Sequence, residues 1–234
     1  MVTLGLGIAP SASASIAEIA FSPGGEDFFG EYPPSERLVV RGEGEEANVL
    51  SVVDEDADAL VITDKGAGLR PGRGCTTIGP SRVRCTFTIV RRRAFSVEGG
   101  GGDDEIDLSA YMPPRPDPPD PSMSPDSVTG GPGADTIRML PNGGYANGGP
   151  GPDRLIGGMG SDEFTDSDPA EPDEFYGGGG ANKLNYYTRT DPITVDLAAR
   201  VGGATNERDS IAGINAISGG MALTCCSGAT RPIR

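Results

Sequence analysis

The sequence contains no histidine and no tryptophan. Without imidazole it cannot build the His-dependent zinc site of a protease, a Ser-His-Asp or Cys-His nucleophile, or an imidazole general base. Carboxylate pairs could still serve as acid and base. In the sequence no acidic pair stands in an apolar run of the kind expected to raise a carboxylate pKa, so the expectation is a protein that is not an enzyme. Aromatic residues are 6% of the 234. So few exclude a large conventional core and call for other support, such as metal, disulfide or stacked repeats. No run approaches the ~18 apolar residues of a transmembrane helix, and no membrane insertion is expected. Positive charge is also scarce, with 19 bases against 34 acids for a net charge of -15. A surface of this sign repels nucleic acid and anionic membranes and attracts cations.

Glycine and proline, in contrast, are plentiful, at 37 and 21 residues. That proportion suggests disorder when it has no period; here much of the glycine falls in a fixed frame. The chain opens MVTLGLGIAPSASAS. The apolar stretch Val2–Ala9 and the small-x-small triplet Ala12-Ser13-Ala14 have the form of the end of a secretory signal. A basic n-region is missing, so residues 1–14 are read as a truncated signal peptide, with the mature chain starting near Ser15. An ordinary flexible terminus is the alternative.

Residues 15–96 read as a β-rich segment. Leu38–Val40, Asn48–Val53, Ala59–Thr63 and Arg82–Val90 are β-branched runs broken by Gly, Pro and Asp. Their spacing favours a small antiparallel β unit. Cys75 and Cys85 flank a turn at Gly79-Pro80-Ser81 and would face each other across a hairpin. A disulfide there agrees with an exported, oxidising location; free buried thiols or half of a metal site are the other readings. Arg91-Arg92-Arg93 is read as a solvated strand end.

From residue 97 a nine-residue frame takes over, Gly-Gly-x-Gly-x-Asp-x-apolar-x. It occurs at 99–107, 130–138, 148–156 and 157–165, and again at 177–185 with Asn182 in place of Asp. The eighth position is always apolar: Ile106, Ile137, Leu155, Phe164 and Leu184. Glycine permits positive φ and lets carbonyls turn to one side, Asp ends the turn with a carboxylate, and the apolar residue points inward. Six residues of turn and three of strand make half a coil, so turns eighteen residues apart stack. Stacked turns offer carbonyl and carboxylate oxygens in the number that Ca²⁺ takes, roughly 6–8, and fit Mg²⁺ less well.

These frames resemble the RTX, or haemolysin-type, calcium-binding repeat of secreted bacterial proteins, a nonapeptide known to form parallel β-helices. The resemblance covers about residues 99–220. It implies an all-β chain, in which a small antiparallel β segment is followed by a parallel β-roll, and a secreted, calcium-binding protein. By register, Gly130, Gly131, Gly133 and Asp135 stack on Gly148, Gly149, Gly151 and Asp153, and Asp135 with Asp153 holds the best site. The turn 139–144 lacks Asp and stacks under Gly157, Gly158 and Gly160. Residues 166–176 are two over length, and counting them as half a coil pairs Asp162 with Asn182 in a second, weaker site. Asp104 precedes the Pro-rich insert within 108–129 and has no neighbouring frame, so it is expected to bind calcium weakly or only to cap the roll.

Residues 193–218 carry Ile193, Val195 and Leu197, then Ile211, Ile214 and Ile217. By the resemblance they continue the roll as a further strand pair. After Gly220 the frame breaks into MALTCCSGATRPIR. A shifted reading of its codons permits Gly-Ala-Asp-Val-Leu-Leu-Gly, so residues 221–234 are read as a frameshifted tail; a divergent tail with two free or intermolecular thiols is the alternative. The function expected is extracellular calcium binding with calcium-coupled folding. A structural or adhesive surface protein with an unknown protein or cell-surface partner, or the export module of a truncated enzyme, are the competing readings.

Overall fold

The computed structural model describes residues 14–23, 25–27, 30–32, 34–56, 58–88, 93–111, 126–168, 171–219 and 223–225. Several expectations lie outside these residues: positions 1–13 of the leader, 89–92 of the fourth β run and the basic run, 112–125 of the insert, and 220–222 and 226–234 of the tail. Among the described residues there is no helix, and none therefore that is long and apolar enough to cross a membrane.

Two long sheets face each other. The first runs, in spatial order, through Ala216–Gly219, Lys183–Tyr186, Glu163–Thr165, Tyr145–Asn147, Ser127–Thr129, Arg93–Glu98, Ser35–Arg41, Ser15–Ser22 and Leu69–Pro71. The second runs through Val201–Gly202, Asp209–Ala212, Glu174–Tyr176, Arg154–Ile156, Thr136–Arg138, Glu105–Asp107, Val49–Asp56, Ala59–Asp64, Arg82–Thr86 and Cys75–Gly79. From Arg93–Glu98 to Lys183–Tyr186 the chain alternates between the sheets and climbs one strand at each return. The repeat strands therefore pair in parallel, as in the β-roll that the nonapeptide frame implied.

Each sheet contributes a column of inward side chains at the middle positions of its repeat strands, because successive side chains of a strand point to opposite faces. In the first sheet Val40, Val97, Val128, Ala146, Phe164, Leu184 and Ile217 are successive partners. In the second they are Leu50, Ile106, Ile137, Leu155, Phe175 and Ile211. All of them are buried, including every apolar eighth position of the nonapeptide frames. Phe164 and Phe175 meet across the two sheets with ring centroids 6.0 Å apart.

The front half is antiparallel where it caps the roll. Ser15–Ser22 pairs with Ser35–Arg41, and Val49–Asp56, Ala59–Asp64, Arg82–Thr86 and Cys75–Gly79 form an antiparallel edge. Cys75 and Cys85 lie opposite each other there and are joined by a disulfide. The sheets do not break at residue 97, however. Ser35–Arg41 and Val49–Asp56 pair in parallel with the first repeat strands, and so form a first coil of the roll. At the other end, Leu223–Cys225 pairs in parallel with Ile193–Val195.

A column of buried carboxylates

Each coil turns from the first sheet to the second through a segment that ends in Asp or Asn, two residues before the buried apolar position; the last such segment is long and contains Ile193–Val195 and Val201–Gly202. These residues form one ladder. The backbone N–H of Asn48 donates to Asp104 Oδ1 at 2.6 Å, that of Asp104 to Asp135 Oδ1 at 2.7 Å, and that of Asp135 to Asp153 Oδ1 at 2.9 Å. Asp153 N–H continues to Asp173 Oδ1 at 2.8 Å, and Asp173 N–H to Asp209 Oδ1 at 3.2 Å. Hydroxyl groups close both ends: Ser15 Oγ donates to Asn48 Oδ1, and Tyr186 O–H to Asp209 Oδ2.

One oxygen of each carboxylate is thus used by the backbone. The other is what matters chemically. Asp104 Oδ2, Asp135 Oδ2 and Asp153 Oδ2 are buried and have no hydrogen-bond partner, although buried polar atoms are nearly always paired. Each points into space that only glycine leaves open. A methyl group added at Gly130 would lie 2.1 Å from Asp135 Oδ2 and 2.6 Å from the Gly148 carbonyl oxygen; one at Gly148 would lie 1.9 Å from Asp153 Oδ2. Gly131 and Gly133 hold φ of 122° and 144°, and Gly131 N–H donates to the Gly148 carbonyl at 2.7 Å, which keeps successive turns in register. Unpartnered carboxylate oxygens converge there with carbonyl oxygens that each accept one backbone N–H and keep a second lone pair, which is the ligand chemistry of a hard cation.

The electrostatics agree. Burial pushes Asp135 up to about 7 and Asp153 up to about 8, from an ordinary 3.8, and the carboxylates on the neighbouring coils push the same way. Asp173 is raised to about 8 and Asp104 is raised too, each mainly by burial. Without a cation the column cannot hold all of these charges at neutral pH.

The expected stacking of Asp135 with Asp153 is therefore seen, and so is that of Asp162 with Asn182. Asp104 corrects the expectation that it has no neighbouring frame. It stacks directly on Asp135, 31 residues away, because Glu105–Asp107 pairs with Thr136–Arg138 and the Pro-rich insert is added at the opposite corner of the coil. Asp162 lies in the other row of turns, from the second sheet to the first. Gly144 N–H donates to its Oδ1 at 3.0 Å, Gly158 N–H to its Oδ2 at 2.9 Å, and its own N–H to Asn182 Oδ1 at 2.8 Å. Asn182 presents its Nδ2 to the Gly179 and Gly213 carbonyls at 2.8 and 2.9 Å. A donor thus stands in this row where the first row has an orphaned oxygen.

Asn48, Asp173 and Asp209 extend the first row beyond the glycine-rich frames, and the frame alone did not reveal them. Their signal is shorter: Asp or Asn, any residue, then a buried apolar residue, as in Asn48-Val49-Leu50, Asp173-Glu174-Phe175 and Asp209-Ser210-Ile211.

Comparison with known proteins supplies the remaining observation. Residues 124–138 and 145–165 match the family described as the RTX calcium-binding nonapeptide repeat, in 4 copies. Neither the curated proteins nor the solved structures compared with the chain give a match. The chain thus carries RTX-type nonapeptide repeats, and the ion that this repeat family binds is Ca²⁺.

Proposed function

We propose that this protein works outside the cell as a calcium-binding β-roll whose repeat coils fold with the ion, and that it is not an enzyme. The observation that carries this reading is the row of buried Asp104, Asp135 and Asp153 Oδ2 atoms, in register and without partners. Asp135 Oδ2 with the Gly148 carbonyl, and Asp104 Oδ2 with the Gly130 carbonyl, are the oxygens that would hold an ion between adjacent coils. Bound calcium supplies the positive charge that the column lacks. The chain's own part is to align the oxygens through the Asp N–H to Oδ1 ladder and to exclude competing donors with glycine. Repeat strands such as Thr136–Arg138, Tyr145–Asn147 and Arg154–Ile156 bury one side chain each and have little core of their own. Free energy of ion binding is then free energy of folding.

The Cys75–Cys85 disulfide supports an oxidising, extracellular location. A non-catalytic role is supported by the absence of histidine. The test is a calcium titration followed by far-UV circular dichroism. Addition of millimolar calcium to chelated protein is expected to produce a large gain of β signal, reversed by chelator. A spectrum indifferent to both would overturn coupled folding.

A further inference from the structure

The turn that follows the last matched repeat solves the same charge problem differently. Thr165 ends its strand as Thr129 and Asn147 end theirs. Asp166 N–H donates to the Asn185 carbonyl at 3.0 Å, just as Gly130 N–H donates to the Asn147 carbonyl at 2.9 Å. Asp166 therefore stands at the register position of Gly99, Gly130 and Gly148, where those three turns leave no room for a side chain. Its carboxylate is completely buried and its Oδ2 has no partner. Glu207 and Asp209, both buried, bring ligand oxygens that lie with one from Asp166 within 4.8 Å of one another.

Arg189 sits in this cluster with its side chain 1% exposed. Nη1 donates to Asp166 Oδ1 at 2.7 Å, to the Asp168 carbonyl at 2.8 Å and to Glu207 Oε1 at 3.0 Å. Nη2 reaches Glu207 Oε2 at 2.7 Å and Asp191 Oδ2 at 2.8 Å, and Nε reaches Asp191 Oδ1 at 2.9 Å. The guanidinium is thus gripped by carboxylates and by a turn carbonyl, the same mixture of oxygens that the repeat turns leave open.

We propose that Arg189 is a resident cation, which takes at residues 166–173 the place that calcium takes between the repeat turns. The inference rests on the calcium reading above. A guanidinium is permanently charged and covalently held, so chelation cannot remove it, and the last coils stay ordered where the repeat coils do not. One arginine compensates several buried carboxylates. Its removal leaves uncompensated buried charge, in a set of oxygens suited to a divalent ion.

The test uses the full chain, calcium and hydrogen exchange. In chelator, the amides of Thr136 and Arg154, bonded to the Asp104 and Asp135 carbonyls, are expected to lose protection on the order of 100-fold relative to calcium at a similar excess over Kd. Those of Ser210 and Ile211, bonded to the Asp173 and Arg200 carbonyls, are expected to keep theirs. Loss of protection at both pairs, or at Ser210 and Ile211 alone, overturns the role of Arg189. If neither pair loses protection, it is coupled folding that fails, and the ion count of Arg189→Met then decides. One additional calcium per chain supports the proposal; an unchanged count, or a variant left unfolded in saturating calcium, overturns it.

Discussion

Asp153 shows how one side chain can be structural and ionic at once. Its Oδ1 accepts the Asp135 N–H and its Oδ2 has no partner. Asp153→Asn keeps an acceptor for the ladder and puts a donor where the cation would bind. Calorimetric titration should show affinity falling by about tenfold or more, or ~1.4 kcal/mol. In chelator the same variant should melt no lower than wild type, because it removes a carboxyl that ionises freely in the unfolded chain and must be protonated or buried charged in the fold. Equal affinity would remove Asp153 from the site. Gly148→Ala acts on the same oxygen from the other side, since its added carbon would lie 1.9 Å from Asp153 Oδ2. Here calcium binding should weaken with no compensating gain in chelator, and a variant with unaltered titration would show that the glycine is not a steric requirement.

At the scale of elements, the antiparallel edge and the roll should respond independently. Cys75 and Cys85 tie the outermost strand of the second sheet to its neighbour, away from the column. Replacing both by serine should lower stability by roughly 2–3 kcal/mol, through the loop-closure entropy of a short loop. Denaturant melts should show the same decrement with calcium and with chelator; a decrement present only in calcium would mean that the edge and the column are coupled. How far these elements could be read from sequence follows the same division. The repeat strands were legible because Ile106, Ile137, Leu155, Phe164 and Leu184 keep one frame, and a fixed frame of glycine and apolar residues leaves the chain one way to stack. The first coil was hidden because Gly42–Asn48, with sequence GEGEEAN, is a seven-residue turn without a Gly-Gly start. Asp173 and Asp209 were hidden because their turns change length, which destroys periodicity while leaving the pairing of Phe175 with Ile211 intact. Arg189 meets Asp166 and Glu207 across 23 and 18 residues, a relation that no local pattern encodes.

The whole molecule carries a proton account opposite to that of a protein held by salt bridges. In the metal-free fold Asp135 is raised to about 7, and Asp153 and Asp173 to about 8, from an unfolded value of 3.8. The folded state then binds more protons than the unfolded state between these limits. The stability these groups contribute is fully present below about pH 4 and is lost as pH rises through 7 to 8. In chelator the melting temperature should therefore fall from pH 5 to pH 8. At pH 5 to 6, where these groups still favour the metal-free fold, calcium binding should release protons, seen as a dependence of the titration heat on the buffer's ionisation enthalpy. Heats independent of buffer would contradict the raised values. The insert corner has a different consequence. Asp104 and Asp135 are neighbours on the column although 31 residues separate them, so the roll measures distance in coils and is indifferent to contour length at that corner. Each doubling of such a loop costs only about 0.6 kcal/mol of closure entropy. The segment between Tyr111 and Asp126 is thus a natural port for grafting: a foreign domain spliced there would ride on the outside of the roll while the register of the coils on either side stayed the same.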